Sequence, residues 1–259
     1  MNVIAFIIFD TPSEYTLRAQ KHLIRLSRDY SHSLSSVQIG RFYISVVMRG
    51  AHEENSLPDA EKIHFTLGKV KEQELTRDRY LDVCICRDQI LISNDYAGSI
   101  PVFYSQRNGL ILSNIEPCVV KGSNTRAEDL SMENMYGFMR FMHFIWDETA
   151  FGHIYQLLPD SEYTYCGQSR DFRRSYKGTI KSSDSRARLS DREVAQELYD
   201  LNMHLVKSAL YGFDQITLPL SSGYDSRMIY AVAANDENLL KKMRCFTYGA
   251  EGSLEVEAA

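Results

Sequence analysis

The carboxy-terminal part of the chain takes its fold from residues 215–227, which read QITLPLSSGYDSR. The apolar run at 215–220 predicts a buried strand, and the small polar residues at 221–226 predict the loop after it. A helix is expected to begin near Arg227, and a second strand is predicted at 243–248. Strand, loop, helix and strand in this order indicate a parallel α/β sheet.

Helices are predicted on both sides of this stretch. Ser190 and Glu193 have the spacing of a capping box, in which each side chain satisfies a backbone N–H group of the first turn. A helix with one apolar face follows, because apolar residues recur every three or four positions: Val194, Leu198, Leu201, Leu205 and Ala209. A last helix is expected to begin at Leu254.

The first 166 residues are predicted to form a separate α+β domain. The continuous apolar run at 3–9 is typical of a strand that is covered on both faces. A helix is expected after the break at 11–13, with Leu17 and Ile24 on its apolar face. Further strands are predicted, and the turns between the last four favour an antiparallel meander; the strands lie at 37–47, 83–86, 90–93, 102–104 and 110–113.

A helix is also predicted over 132–144, and its residues are rich in Met, Phe and Tyr. Packing in the core is the simplest explanation for such large apolar side chains. For the same reason Trp146, the only tryptophan, is expected in the core. His153 is interpreted as a packed histidine rather than a catalytic one.

Residues 167–189 are predicted to link this domain to the α/β domain at 190–259. The segment is rich in serine and basic residues and has almost no apolar ones, as is typical of a solvated linker. A basic patch for an anionic partner is the alternative. The α/β part receives about 70 residues, too few for a sheet of typical size, and stops within a predicted helix. We therefore expect the chain to be the front part of a longer enzyme.

The composition is that of an ordinary globular protein. Of 259 residues, 44% are hydrophobic and 24% are charged, which excludes a disordered chain. The net charge of −5 gives no basic excess, so no nucleic-acid partner is expected. No apolar run is long enough to cross a bilayer and no signal peptide is recognisable, so we expect a cytoplasmic protein without a membrane partner. Five scattered cysteines argue against a disulfide framework or a zinc site.

The loop at 221–226 is the stretch that points to chemistry. Ligands bind in α/β sheets where a strand ends and a helix begins, and a helix N-terminus favours phosphate groups. Asp225 is suited to holding Mg²⁺ against such phosphates. The loop has neither the lysine of a Walker A motif nor a GxGxxG pattern. A phosphate site and a simple turn, with Asp225 and Ser226 capping the helix, both fit this spacing.

The sequence Ser221-Ser222-Gly223-Tyr224-Asp225-Ser226 resembles the SGGxDS pyrophosphate loop of the N-type ATP pyrophosphatases. The surrounding sequence resembles the asparagine synthetase family, whose further motifs have similar counterparts in the same order along the chain. These counterparts lie at 94–104, 112–116, 151–159 and 246–249, followed by Glu255 and Ala258.

The resemblance implies a sandwich of the N-terminal-nucleophile hydrolase type, followed by the beginning of a PP-loop ATP pyrophosphatase domain. It implies a ligase that uses ATP and Mg²⁺ to adenylate a small-molecule carboxylate, aspartate or a similar one, before an amide forms. A homodimer is compatible with this. Asp225 is the implied metal ligand, and the implied ATP-binding residues are Leu220, Ser221, Ser222, Gly223, Tyr224, Asp225, Ser226, Thr247 and Tyr248.

The chain departs from the family pattern at three positions. Asn2 stands where the nucleophilic cysteine is required, and a carboxamide is no nucleophile, so we expect no glutaminase activity and assign no catalytic residue there. β-Lactam synthetases and lasso-peptide cyclases also lack that cysteine, so an intramolecular amide ligase is an alternative. A non-catalytic scaffold or binding module is a second alternative. Ser222 replaces a glycine, which is acceptable only at negative φ. Arg227 replaces a serine and adds a cation.

Overall fold

The computed structural model describes residues 3–29, 32–48, 61–69, 79–179, 189–250 and 252–258. The prediction for Asn2 lies outside these residues. The chain divides into two compact units, Met1–Lys181 and Ser182–Ala259. Within the described ranges, no helix is both long enough and apolar enough to span a membrane.

The amino-terminal unit mixes helices with short strands. In chain order, its described elements are β1 (Val3–Phe9), α1 (Glu14–Asp29), β2 (Ser33–Ile39), β3 (Phe42–Met48), β4 (Lys62–Lys69), β5 (Arg79–Cys86), β6 (Gln89–Asn94), β7 (Phe103–Ser105), β8 (Ile111–Ser113), α2 (Glu116–Gly122), a 3-10 turn (Ala127–Asp129), α3 (Met132–Phe141), β9 (Tyr155–Gln156), β10 (Ser161–Cys166) and β11 (Asp171–Tyr176).

Two antiparallel sheets face each other in this unit. One has six strands in the order β2-β3-β1-β8-β7-β9, and the other has five in the order β11-β10-β6-β5-β4. The main hydrophobic core lies between them, where Phe6 and Ile8 of β1 meet residues such as Phe65 and Val83 from the other sheet. The rings of Phe6 and Phe65 have their centroids 5.4 Å apart. The unit is therefore an α+β protein built on a two-sheet sandwich.

Helices α1 and α2 cover the other face of the six-stranded sheet. Ala5, Ile7 and Phe9 of β1 point into this second core, together with Ala19 and Leu23 of α1. The prediction that β1 is covered on both faces is confirmed. The buried face of α1 differs from the predicted one by one position along the helix. Leu17 is exposed and Ile24 is only partly buried, whereas Leu23 is fully buried.

The single meander predicted between 83 and 113 is wrong. Strands β5 and β6 pair in the five-stranded sheet, whereas β7 and β8 pair in the six-stranded one. The chain changes sheet just after β6, where the buried carboxylate of Asp95 accepts hydrogen bonds from the backbone N–H groups of Tyr80, Ala97 and Ser99. This turn redirects the chain, and alternation of apolar residues carries no information about such a change.

The apolar surface of α3 is not part of the core, contrary to the prediction. No residue of α3 is buried, and Trp146 is 80% exposed. The helix also ends three residues earlier than predicted. Periodicity indicates that apolar residues share a helix face, but it does not identify an element that covers them. The exposed large apolar side chains of this region are Met132, Tyr136, Met139, Phe141, Met142, Ile145 and Trp146.

The first part of the predicted linker is ordered structure. Strand β11 lies within 167–189 and pairs with β10 along its whole length. Beyond it, the backbone N–H of Lys177 donates to the carbonyl oxygen of Asp160 at 2.9 Å, and the N–H of Thr179 donates to the Asp160 carboxylate at 2.8 Å. The sequence did not indicate this strand because it has few apolar residues. Its basic side chains point to solvent or bind polar groups.

The carboxy-terminal unit is small. Its elements are α4 (Asp191–Leu210), β12 (Ile216–Pro219), α5 (Tyr224–Ala234), α6 (Glu237–Lys242), β13 (Met243–Phe246) and α7 (Leu254–Ala258). Strands β12 and β13 are parallel and pair from Ile216 with Met243 to Pro219 with Phe246. A small core contains Ile216, Ala233 and Leu239. The capping box predicted at Ser190 and Glu193 is present, but no residue of α4 is buried, so its apolar stripe is uncovered.

Candidate functional site

The candidate site lies at the edge of the β12–β13 sheet where both strands end. Because the strands are parallel, the segments that follow them meet at this edge. The backbone N–H of Leu220 donates to the carbonyl oxygen of Phe246 at 2.8 Å, which extends the pairing one residue beyond β12. The structure thus brings the loop after Leu220 and the pair Thr247 and Tyr248 to one edge.

Two serine hydroxyls shape the loop. The Oγ of Ser226 accepts a hydrogen bond from the backbone N–H of Ser221 at 3.0 Å and lies 3.1 Å from the Oγ of Ser221. The Oγ of Ser221 in turn accepts from the backbone N–H of Gly223 at 3.2 Å. These contacts fold 221–226 into a compact turn, so two of the three serines predicted to bind phosphate also hold the loop together.

Helix α5 begins at Tyr224, three residues earlier than predicted. Tyr224, Asp225 and Ser226 therefore form its first turn rather than the end of a loop. Gly223 is the N-cap residue and has no side chain with which to cap the turn. Backbone N–H groups at a helix start need acceptors, and without a capping side chain these come from solvent or from a bound anion.

The backbone at Ser222 accepts a side chain without strain. The described non-glycine residues with positive φ are Asn124, Met142, Trp146, Asp160 and Arg170, and Ser222 is not among them. Gly223 itself has a φ of −68°. The condition placed on Ser222 by the sequence is therefore met, and its departure from glycine does not distort the loop.

Arg227 lies against the start of α5. Its Nε donates to the carbonyl oxygen of Gly223 at 3.3 Å, and its guanidinium carbon lies 4.9 Å from the centroid of the Tyr224 ring. This arrangement places a cation beside the first turn and leaves Tyr224 exposed. An arginine held in this way strengthens the attraction of the site for anions.

The two residues after β13, Thr247 and Tyr248, do not lie in an enclosed pocket. Tyr248 is largely exposed, and its ring centroid lies 6.3 Å from that of Phe246, which is itself half exposed. Thr247 stands between them in the chain. These residues provide an open aromatic surface next to the loop, which suits the flat face of a base more than a small polar group.

The donor set fits a metal ion that arrives with its ligand. Within the described ranges, no three His, Cys, Asp or Glu side chains are grouped so that they could hold a metal ion. Asp225 contributes one exposed carboxylate in the first turn of α5. Mg²⁺ typically takes one or two carboxylates and completes its shell with phosphate oxygens and water. The loop therefore fits a magnesium–phosphate ligand rather than a resident metal.

In the amino-terminal unit, His153 belongs to a polar network. Its Nε2 lies 2.9 Å from the Oγ1 of Thr125 and 3.5 Å from an Nη atom of Arg107, which also pairs with Asp129 at 2.7 Å. Burial and the nearby Arg107 lower the pKa of His153. The histidine is thus held by its contacts with Thr125 and Arg107 in the fold.

Comparisons with known proteins give no family. No protein-family model and no curated protein matches the sequence. Among solved structures, the chain is similar to glutamine phosphoribosylpyrophosphate amidotransferase from B. subtilis complexed with ADP and GMP, with 8% identity, a TM-score of 0.38, and coverage of 68% of this chain and 49% of that one.

A second solved structure is described as the allosteric regulatory enzyme of purine biosynthesis. It shows 8% identity and a TM-score of 0.34, with coverage of 98% of this chain and 62% of that one. The chain thus spans about half and about three fifths of the lengths of these two proteins. TM-scores this low do not establish a shared fold, so the likeness assigns neither a family nor an activity.

Proposed function

We propose that this chain is part of an ATP-dependent carbon–nitrogen ligase related to the asparagine synthetases, and that residues 220–226 bind the β,γ-pyrophosphate of Mg-ATP. One observation carries the proposal. The sequence that resembles a pyrophosphate loop joins the end of β12 to the uncapped start of α5. A motif of this kind in a core or surface turn elsewhere would have no such significance.

Each part of the site has a role in this proposal. The N–H groups of the first turn of α5 and the hydroxyls of Ser221 and Ser226 donate to phosphate oxygens. Asp225 would hold the Mg²⁺ that neutralises charge on the pyrophosphate, and Thr247 and Tyr248 would border the adenine. A carboxylate oxygen of the substrate attacks the α-phosphorus and pyrophosphate leaves; an amine then attacks the acyl carbon and AMP leaves. Holding the pyrophosphate stabilises the charge that develops on the leaving group.

The source of the amine follows from Asn2. Without a cysteine at that position the amino-terminal unit does not release ammonia from glutamine, so the amine is free ammonia or an amino group of the substrate itself. The second case is an intramolecular amide ligase, and Asn2 is the observation that favours it. In either case the sandwich serves as a scaffold.

Binding of Mg-ATP to the purified full-length protein tests the nucleotide site. We compare Asp225→Asn with Glu237→Gln, because both residues are acidic and lie in the first turn of a helix of the same unit. Asp225→Asn should weaken Mg-ATP binding about tenfold or more and reduce its dependence on Mg²⁺, because the metal loses the carboxylate that Asp225 supplies. Glu237→Gln should bind Mg-ATP as the unaltered chain does.

Equal affinities for the two variants would refute the site. No measurable binding of Mg-ATP to the unaltered chain would favour the non-catalytic scaffold. A measurement of ammonia release from glutamine tests whether the amino-terminal unit is a glutaminase. We expect no release above the level of buffer. Release that disappears when a cysteine is substituted would overturn the assignment of the sandwich as a scaffold.

A further inference from the structure

The amino-terminal unit has an open groove between α1 and α2 that the proposed function does not use. Its volume is about 680 Å³. Most of the side chains along it are basic or aromatic, and carboxylates are absent from its lining. The basic residues that line it are Arg18, Lys21, His22, Arg25 and Lys121.

The basic side chains of α1 share one face of the helix. Arg18, His22 and Arg25 are spaced by four and three residues, with Lys21 beside them, so their side chains align along the groove. The opposite face is buried against the six-stranded sheet. Lys121 comes from the last turn of α2, where a cation is favoured by the helix dipole. The helix dipole gives no such reason for the cations Arg18, Lys21 and Arg25 in the middle of α1.

These charges are poorly compensated. Arg18 pairs with Glu14 at 3.4 Å, but both side chains are 64% exposed, so the pair is weak. In the described part of the chain, no carboxylate lies within 4 Å of the cationic groups of Lys21, Arg25 or Lys121. Burial and the positive charges of Lys121 and Arg25 lower the pKa of His22, which shows that the two helices concentrate positive charge at one place.

We propose that this groove binds a small phosphorylated molecule that carries at least two phosphate groups. Four lysine and arginine cations from two helices exceed what a single phosphate needs, and a volume of about 680 Å³ is in the range of small-molecule sites. Tyr15 and Asn124 also line the groove and offer an aromatic face and an amide donor. A concave site between two short helices suits a small molecule better than a nucleic-acid backbone, which needs a long basic track.

Titration with inorganic pyrophosphate, read by the NMR signals of the His22 ring, tests the proposal locally. His22→Gln assigns the signals among the seven histidines. We expect a saturable shift of the His22 signals at constant ionic strength. Arg25→Gln/Lys121→Gln should weaken this binding about tenfold, because it removes one charged donor from each helix. The control Arg140→Gln/Lys241→Gln removes the same charge from exposed positions and should have no effect.

The proposal fails if pyrophosphate leaves the His22 signals unchanged, or if chloride at the same ionic strength shifts them equally. It also fails if the Arg25/Lys121 double variant binds as tightly as its control, or if a single-stranded oligonucleotide shifts the signals and pyrophosphate does not. Repeating the titration with Asp225→Asn separates the two sites. A response of His22 that persists there belongs to the groove, whatever the outcome for the loop at 220–226.

Discussion

Among single residues, Tyr165 makes one of the most consequential polar contacts. Its ring is buried in the core between the sheets, and its hydroxyl donates to the carboxylate of Asp10 at 2.5 Å. The same carboxylate accepts from the backbone N–H of Leu110 at 2.8 Å. Burial and the bond to Asp10 raise the pKa of Tyr165, so the phenol remains a donor throughout the physiological range. One contact thus joins β10 of the five-stranded sheet to the end of β1.

Removing that hydroxyl should destabilise the amino-terminal unit. Tyr165→Phe leaves the ring packed but deprives a charged acceptor of one of its donors, which costs about 1.5–3 kcal/mol. The matched control is Tyr155→Phe, whose hydroxyl donates to the carbonyl oxygen of Gly152 at 3.2 Å near the surface and is worth less than about 1 kcal/mol. Urea unfolding of both variants measures the difference, and equal losses would contradict the role given to Asp10.

Histidine titration should make stability depend on pH. Because the pKa of His153 is lowered in the folded protein from its usual 6.5, the unfolded chain binds more protons as the pH falls through that value. His22, lowered in the same direction, adds to the effect. The carboxyl groups with lowered pKa lose their contributions only at more acidic pH. The free energy of unfolding should therefore decrease from about pH 7.5 to about pH 5.5.

His153→Gln is the variant that checks this. It should flatten the dependence of the urea midpoint on pH over this interval, with the share of His22 remaining. His143→Gln is a suitable control, since His143 is exposed and its Nδ1 bonds the nearby carbonyl oxygen of Phe141. A slope that is the same in all three proteins would exclude His153 as its source.

For individual residues, the sequence alone predicts the chemical character of a side chain better than it predicts which residues surround that side chain. The condition on Ser222 could be stated in advance because φ depends on the local chain. The exposure of Trp146 could not, because it depends on whether another element packs over α3. The contacts of His153 with Thr125 and Arg107 join residues 28 and 46 positions apart, and no local pattern marks such pairs.

Among the elements, α3 ends in an unusual way. Its C-cap residue, Met142, has a φ of 61°, and its N–H donates to the carbonyl oxygen of Phe138 at 2.7 Å. A left-handed residue at this place is normally glycine, because a side chain costs about 1–2 kcal/mol there. The Met142 side chain is 77% exposed, so little packing compensates for the strain.

Met142→Gly should therefore stabilise the protein by about 1 kcal/mol. Met139 provides a matched control, because it is also a methionine, 75% exposed, but lies within α3. Met139→Gly should destabilise by about 1 kcal/mol, since glycine is unfavourable inside a helix. Thermal unfolding should thus shift in opposite directions for the two variants. A destabilised Met142→Gly protein would show that the exposed methionine makes a contact worth more than its backbone strain.

Most elements were predictable in kind, and their arrangement was not. Strand β1 was evident because both of its faces are apolar, and α1 and α4 because their apolar residues recur with helical spacing. The assignment of β5 to β8 to two sheets depends on a turn built around Asp95. Strand β11 was missed because its pairing with β10, rather than its own composition, makes it a strand.

For the whole molecule, the two units differ greatly in the size of their cores. The sandwich has two large clusters of buried residues, whereas the carboxy-terminal unit buries few side chains beyond Ile216, Ala233 and Leu239. The sequence pointed to this contrast, since it predicts a whole sandwich and only two parallel strands after it. The overall charge of −5 gave no indication of the basic groove between α1 and α2, because a net charge does not show where charges cluster.

This contrast predicts two levels of local stability. Because burial of apolar surface is the main stabilising contribution, amides of β12 and β13 should exchange with solvent faster than those of β1 and β3. Leu239→Ala should further accelerate exchange in β12 and β13 and leave β1 unchanged, since Leu239 is fully buried in the small core. Leu112 is equally buried in the sandwich, so Leu112→Ala should accelerate exchange in β1 and leave β12 and β13 unchanged. Hydrogen exchange measured by peptide mass spectrometry resolves the two units, and equal acceleration of both by either variant would mean that they unfold as one.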